Sequence, residues 1–333
     1  MCATTQGRVG AHRRHPTVAA MLAEPLPTYE AAAAASAPAA AALPAARHPG
    51  AAPAPRDRPP PGDERYTIVV NTFRRHEALE GFLRHYESCP NVDAIHVVWS
   101  EGPDPPTREA RPELYSAEAE VTLHGMPTTS FNNRFLPLPG IRTAGVLSID
   151  DDILAPCGAL DAAHAAWRRH PRQLVGFFPR HYSVRWDEGR GECAHGYAVG
   201  PFGSLDPARA LGHDYSIVLT KGCFLHRDWL AVYTERLPRE MLDYVRDHRN
   251  CEDLAMQFLV SAATGEAPRA VLVAGLRDEG ARGGRYAGSA VSVSKGHYAE
   301  RSRCVREFVR VLGGRNPLRH RTAGPEDAPA GAP

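Results

Sequence analysis

RYTIVVNTF, Arg65 to Phe73, is a β-branched run of strand length that ends in polar residues, and it reads as a buried strand. Behind it Ala78, Leu79, Phe82, Leu83 and Tyr86 recur at three- and four-residue spacing, which sets them on one face of an amphipathic helix. DAIHVVW, Asp93 to Trp99, is a second strand. Strand, helix and strand in about 35 residues is the size of a right-handed βαβ unit on a parallel sheet. Further along, EVTLH (Glu120 to His124), AGVLSI (Ala144 to Ile149) and LVGFFP (Leu174 to Pro179) supply three more strands, with a helix from Leu160 to His170 between the last two. Helical patterns continue over Pro238 to Asp247, Cys251 to Thr264 and Tyr298 to Leu312. This alternation predicts an α/β sandwich, in which ligands collect beyond the carboxyl ends of the strands.

Upstream, from Pro16 to about Gly62, alanine and proline dominate and almost nothing could seed a core. Residues 1–62 are expected to be a disordered leader, 63–317 a single catalytic domain, and the polar, Pro/Gly-rich residues 318–333 a disordered tail. Within the leader, Pro38 and Pro44 interrupt the alanine-rich segment Ala31 to Ala46. Alanine contributes little transfer energy, and a spanning helix needs roughly 20 strongly apolar residues. A degenerate targeting or anchor segment is the alternative reading.

The chain has 333 residues, 43% hydrophobic, enough for a sizeable core. Its 39 basic and 38 acidic side chains nearly cancel, so charge gives no reason to expect nucleic acid or an anionic surface as partner. Seven scattered cysteines show no C-x-x-C spacing, which argues against a zinc or thioredoxin-like centre. The scatter fits reduced buried thiols or a few long-range disulfides equally.

LSIDDDI, Leu147 to Ile153, sets three carboxylates directly after an apolar strand. Strand alternation lets Asp150 and Asp152 project to one side. Their mutual repulsion raises a pKa; Mg or Mn relieves it and can also bind diphosphate oxygens. The competing reading is that these acids decorate a strand end or cap the helix that follows.

Taken in order, YTIVVNTFRR, DAIHVVWSE, SFNNRFLPL, LSIDDDI, VGFFPR, YSIVLTKGCFLH, NCEDLAMQFLV and HYAERSRCVREF resemble the exostosin-like glycosyltransferases across Arg65 to Pro317. That family includes the C-terminal domains of heparan-sulfate polymerases and plant relatives acting on glycosylinositol phosphorylceramides. The plant type is the closer in VNTFRR, HVVWSE and NCEDLAMQFLVSAATG. The resemblance implies a GT-A nucleotide-sugar-binding fold with a central, mostly parallel sheet, dependence on Mn (or Mg), and retention of configuration. It further implies a nucleoside diphosphate sugar as co-substrate, a glycan or glycolipid acceptor, and residence in the secretory pathway, in the Golgi lumen. Of donors, UDP-GlcNAc ranks ahead of GDP-mannose. A homo-oligomer or a partner glycosyltransferase is a compatible assembly.

The same resemblance assigns positions. Asn71 and Arg75 fall beside the nucleotide, and Ser100 where animal members carry an asparagine near the base. Asn133 and Arg134 run under the uridine and diphosphate, where an arginine serves as counter-charge. Asp152 becomes the direct metal ligand, with Asp150 and Asp151 serving the ribose, the sugar or metal-bound water. Cys251 and Cys304 are implied to be bridged. That bridge would gather Asp253, the sugar-contacting acid, and Arg301, the essential arginine, into one catalytic neighbourhood. Asp253 also suits a helix N-terminus on its own account. His297 either touches the diphosphate or is structural. Cys89 and Cys157 look shared with plant-type members and can pair, whereas Cys193 and Cys223 read as buried thiols. GGRYAG, Gly283 to Gly288, reads as a mobile loop near the acceptor. Two rival classes are a catalytically silent nucleotide-sugar-binding member and a metal-dependent phosphatase, for which no nucleophile motif is visible.

Overall fold

The computed structural model describes residues 64–115, 118–189, 191–204, 207–289 and 295–327. The leader, Cys2, the Cys193 side chain and residues 328–333 lie outside that description. The first half of the chain runs β1 (Tyr66–Thr72), α1 (His76–Tyr86), β2 (Val92–Trp99), β3 (Glu120–Gly125), β4 (Gly145–Asp150), β5 (Ile153–Leu154), α2 (Cys157–Arg169), β6 (Val175–Gly176), β7 (Pro179–Asp187) and β8 (Glu192–Ala198). The second half adds β9 (Asp214–Tyr215), β10 (Ile217–Val218), β11 (Gly222–His226), α3 (Asp228–Arg236), α4 (Arg239–His248), α5 (Glu252–Thr264), β12 (Arg269–Ala270), β13 (Arg277–Asp278), α6 (His297–Val311) and β14 (Arg321–Thr322).

Seven strands form the central sheet in the order β12-β6-β11-β4-β1-β2-β3. Every pairing is parallel except those of β11, which runs antiparallel to β4 and β6. The α/β expectation, with a mostly parallel sheet in one domain, is what the chain adopts. β1 is buried at Tyr66, Thr67, Ile68, Val69 and Val70, as a central parallel strand covered on both faces must be. The predicted face of α1 is the observed one, since Ala78, Leu79, Phe82, Leu83 and Tyr86 are all buried. Burying each large apolar side chain contributes about 1.5–3 kcal/mol. α2 covers β4, β6 and β11 through Leu160, Ala163 and Trp167. A disulfide joins Cys89, after α1, to Cys157, at the start of α2, with Cα atoms 5.3 Å apart.

Three departures from the sequence reading have physical causes. The strand expected over Leu174 to Pro179 ends after Gly176, and the chain resumes at Pro179 as the β7–β8 hairpin. Gly176 lies against β11, where a side chain would collide with the Gly222 carbonyl and Cys223. Residues 318–327, expected in the disordered tail, are ordered: β14 pairs with β9, and the Leu272 amide donates to the Asp327 carbonyl at 2.7 Å. Leu318, Ala323 and Asp327 are buried there, an anchoring too sparse to outweigh the polar composition around it. The GGRYAG stretch is tied down, with the Tyr286 amide donating to the Glu279 carbonyl at 2.8 Å and Arg285 paired with Glu77. Cys223 is a buried free thiol, as expected. Among the described residues, no helix is long and apolar enough to cross a membrane.

Candidate active site

Parallel register places the carboxyl ends of β1 and β4 side by side, with Asn71 opposite Asp150. Beyond them opens a cavity of about 560 Å³. Asn71, Arg75, Arg134, Asp150 and Asp152 line one side, and Asn250, Glu252, Asp253, His297 and Arg301 the other. Residues separated by more than two hundred positions therefore converge at the strand ends, where ligands of open α/β sheets bind.

The strand ends at Asp150 and the chain turns through Asp151 and Asp152, so that Asp150 and Asp152 line the cavity while Asp151 does not. Thr72 donates its hydroxyl to Asp151 at 2.9 Å, and Arg75 forms an ion pair with Asp151 and another with Asp152 at 2.5 Å. Burial pushes the Asp151 carboxyl up to about 7, against the charge of Arg75. Asp152 is raised too, by burial and then by the charge of Asp150. Asp150 is paired with Arg134, which also lies 3.7 Å from Glu252. A second strand anchors the run from outside: β13 pairs with β5, and the Glu279 amide donates to the Asp152 carbonyl at 2.9 Å.

Ser100 and Asn133 do not reach the cavity wall. Both are buried behind it, where Asn133 Nδ2 donates to the Ser100 hydroxyl at 3.2 Å and Ser100 donates to Asn71 Oδ1 at 3.4 Å. Ser100 holds Asn71 directly and Asn133 does so through Ser100, as Asp151 holds Arg75.

On the opposite wall Cys251 and Cys304 are bridged, Cα to Cα 6.4 Å, joining the start of α5 to α6. Arg301 Nη2 then donates to Asp253 Oδ2 at 2.7 Å, with both side chains buried. Burial alone would raise the Asp253 carboxyl; the charge and hydrogen bond of Arg301, with the Leu254 amide at 2.7 Å, hold it below the usual carboxylate range. Asp253 is thus a buried anion. Glu252 beside it is pushed up to about 7, by burial and then by Asp253. His297 lines the cavity with a buried Nδ1 that has no hydrogen-bond partner among the described residues. Burial, then the charge of Arg301, lowers its pKa to about 4, so its ring is neutral at neutral pH.

Sequence reasoning missed several lining groups. Lys221 pairs with Asp278 and lies 4.3 Å from the Phe178 ring centroid, and its carbonyl accepts the Asp150 amide at 3.2 Å. Tyr197 stacks near Tyr298, ring centroids 6.3 Å apart, and carries the Arg301 guanidinium 4.5 Å from its ring. Phe73, Arg74, Arg180 and Arg249 also line it. Lys221 stood within a quoted motif, but nothing local pointed it at the aspartates; that placement comes from β11 lying antiparallel beside β4.

Residues 66–324 match the family described as the Glycosyl transferase family 64 domain. The chain is 34% identical over 257 residues to the glycosylinositol phosphorylceramide mannosyl transferase 1 of Arabidopsis thaliana, covering 74% of this chain and 72% of that protein. It is 31% identical to the glucosamine inositolphosphorylceramide transferase 1 of Oryza sativa subsp. indica, covering 75% of this chain and 31% of the relative. Against Homo sapiens exostosin-2 the identity is 30%, covering 76% of this chain and 33% of the relative. The chain thus spans most of the first of these relatives and about a third of the other two.

An α/β sandwich with this cleft at its strand ends and these relatives defines a glycosyltransferase. The chain belongs to glycosyl transferase family 64.

Proposed function

We propose that the chain is a retaining, divalent-cation-dependent glycosyltransferase that moves a hexose or N-acetylhexosamine from a nucleoside diphosphate sugar to a glycolipid or glycan acceptor. The observation that carries this reading is the facing of two charged sets across one cavity. Asp150 and Asp152 stand with Arg75 and Arg134 on one wall, and the buried Asp253–Arg301 pair stands on the other.

The donor set suits Mn or Mg. Among the described residues no group of three His, Cys, Asp or Glu side chains is arranged to hold a metal. Magnesium-like ions need no such cage, since they bind through one or two carboxylates and complete their shell with water and substrate phosphate. Asp152, with Asp150 beside it, offers hard oxygens at the cavity wall, and burial with mutual repulsion makes a counter-cation favourable. A bound cation would supply Lewis-acid stabilisation of the departing diphosphate. Arg134 and Arg75 add fixed positive charge on that side. Arg301 orients Asp253, whose carboxylate stays ionised to position the donor sugar and to face positive charge developing at its anomeric carbon. A front-face route, in which leaving group and acceptor meet the same side of the sugar, fits a single cavity holding both sets.

The mannosyl transferase among the relatives moves GDP-mannose ahead of UDP-GlcNAc as the donor to test first. The names of the plant relatives make an inositol phosphorylceramide glycolipid the first acceptor. Two disulfides accord with maturation in an oxidising lumen, which supports the secretory pathway and its Golgi compartment. Screening nucleotide sugars by thermal shift with Mn, followed by transfer assays on glycolipid and oligosaccharide acceptors, tests the reading. Absence of both transfer and donor hydrolysis with every nucleotide sugar would favour a silent, nucleotide-sugar-binding member.

A further inference from the structure

The two arginines packed against the aspartate run both engage carboxylates, but they are held differently. Arg134 is locked: it is paired with Asp150, Glu252 lies 3.7 Å away on its other side, and its side chain is 7% exposed. Arg75 is 19% exposed, lines the cavity and grips two members of the run, Asp151 behind the wall and Asp152 on it. Its main chain is fixed independently. The Glu101 carboxylate accepts the Arg74 amide at 2.5 Å, and the Arg75 carbonyl accepts the Leu79 amide at 3.0 Å. The guanidinium can therefore leave its partners while the backbone stays.

Asp152 is the carboxylate offered to a divalent cation, and Arg75 Nη1 sits on its Oδ2 at 2.5 Å, leaving that side chain 7% exposed. A guanidinium and a divalent cation repel each other, so both cannot hold this carboxylate closely. Charge balance points the same way. Asp150, Asp151, Asp152 and Asp278 face Arg75, Arg134 and Lys221, four carboxylates against three cations. A divalent cation alone turns this cluster positive, and a nucleoside diphosphate alone adds to its negative charge. Arriving together they nearly cancel, and Arg75, released from Asp152, gains phosphate oxygens to which its planar fork is suited. Lys221 is not the group that moves, since Asp278 holds it from β13 and its ammonium lies 4.3 Å from the Phe178 ring centroid.

We propose that Arg75 is a placeholder for the divalent cation: it holds Asp152 until metal and donor arrive and then passes to the donor diphosphate, so that metal and nucleotide bind cooperatively and each poorly alone. This rests on the glycosyltransferase reading above and adds to it a positioning residue that couples the two ligands. Linkage makes the coupling reciprocal, so Mn must tighten the nucleotide by the same factor by which the nucleotide tightens Mn.

Binding of Mn to the full chain, followed by electron paramagnetic resonance of the free ion, and of UDP and GDP by calorimetry, tests this without turnover. The unaltered chain is expected to bind Mn roughly tenfold or more tighter when the better of the two nucleotides is present, after correction for the metal–nucleotide complex formed in solution. Arg75→Gln should bind Mn alone roughly tenfold or more tighter than the unaltered chain, bind metal-free nucleotide more weakly, and lose most of the coupling. A merely structural arginine would give losses in both ligands and no gain. Arg75→Lys keeps a cation beside Asp151 but cannot span both carboxylates. It should shift the same way by a smaller factor, and it carries the test if Arg75→Gln fails to fold. Adding Asp152→Asn to either variant should erase the gain. Mn affinity unchanged or lower in the folded variants would overturn the proposal, as would a gain that survives Asp152→Asn or an unaltered chain without coupling. Transfer and donor hydrolysis by the unaltered chain are measured separately, so failure of the glycosyltransferase reading registers there, while the Mn titrations decide the role of Arg75.

Discussion

Arg301 and Asp253 stand 48 residues apart in sequence and 2.7 Å apart in space, both buried, and the Cys251–Cys304 bridge connects the two helices that carry them. Two buried opposite charges stabilise each other only while both are present. Arg301→Ala should therefore cost about 3–5 kcal/mol of stability by leaving Asp253 uncompensated. Asp253→Asn removes the charge with little change of shape. It leaves Arg301 a buried, uncompensated cation, so it should cost stability on the same scale, and in addition lower kcat per folded molecule on the order of 10²-fold or more. Denaturant titrations and steady-state kinetics on the two variants read the two effects separately. Full turnover in Asp253→Asn would remove that carboxylate from the chemistry.

Asp152 faces the cavity, whereas Asp151 is held behind it by Thr72 and Arg75. Their neutral replacements should fail differently. Asp152→Asn is expected to abolish turnover that depends on a divalent cation and to weaken the cation's effect on nucleotide binding, with the fold retained. Asp151→Asn should chiefly loosen Arg75, lowering nucleotide affinity while the response to Mn persists. Thermal shift with nucleoside diphosphate, with and without Mn, separates the outcomes. Equal Mn responses in Asp152→Asn and the unaltered chain would exclude Asp152 as the ligand.

The bridges span sequence separations of 68 and 53 residues, Cys89 to Cys157 and Cys251 to Cys304. Each should contribute about 4 kcal/mol by restricting the unfolded chain. Their functional weight should differ. Cys89→Ala with Cys157→Ala lowers stability at a distance from the cavity. Cys251→Ala with Cys304→Ala should also cost activity in the surviving folded fraction, because it frees Arg249, Asp253 and Arg301 together. Activity per folded molecule, taken from urea titrations alongside initial rates, distinguishes the pairs, and an identical loss for both would contradict this.

Much of this was legible in the sequence because it is periodic. Tyr66 to Thr72 is buried nearly throughout, and α1 buries its three-and-four spaced face, so local pattern and tertiary role agree. The aspartate run was legible because it follows directly on the apolar strand β4, which ends at Asp150. The β7–β8 hairpin escaped because HYSVRWD faces solvent along much of its length and offers a weak alternation. The helix Asp228–Arg236 does carry a local signal, Trp229, Val232 and Tyr233 at helical spacing. Asp278 and Lys221 meet the aspartates through strand pairings alone, and Arg249 reaches Phe73 only in the folded chain, so no local window could show either. Ser100 and Asn133, which resemblance places near the nucleotide, sit in the layer that holds Asn71, a role no local window shows.

Away from the cavity, β2 and β3 bury a pair of stacked histidines, with His96 Nδ1 2.8 Å from His124 Nε2. One ring must donate and the other accept, so the contact requires at least one neutral ring. Burial first, then the charge of His124, pushes His96 down to about 3, and burial lowers His124 to about 4. In the unfolded chain both titrate near 6.5, so between that pH and about 4 the unfolded state binds protons that the folded state refuses. Stability from this pair is therefore complete above about 6.5 and declines as pH falls through that window, by up to about 1.4 kcal/mol per pH unit for each ring. The decline should level off below about pH 3, once both folded rings are protonated. Other histidines with lowered values, His297 among them, add to the same slope, so the pair is isolated by comparison. His96→Gln with His124→Gln keeps a hydrogen bond available across the strands and removes both titrations. Urea unfolding of the variant should show a flatter dependence between pH 4 and 6.5 than the unaltered chain, with the two curves converging on a constant difference above pH 7. Parallel curves across the whole range would mean that the pair is protonated in the folded protein as readily as in the unfolded one.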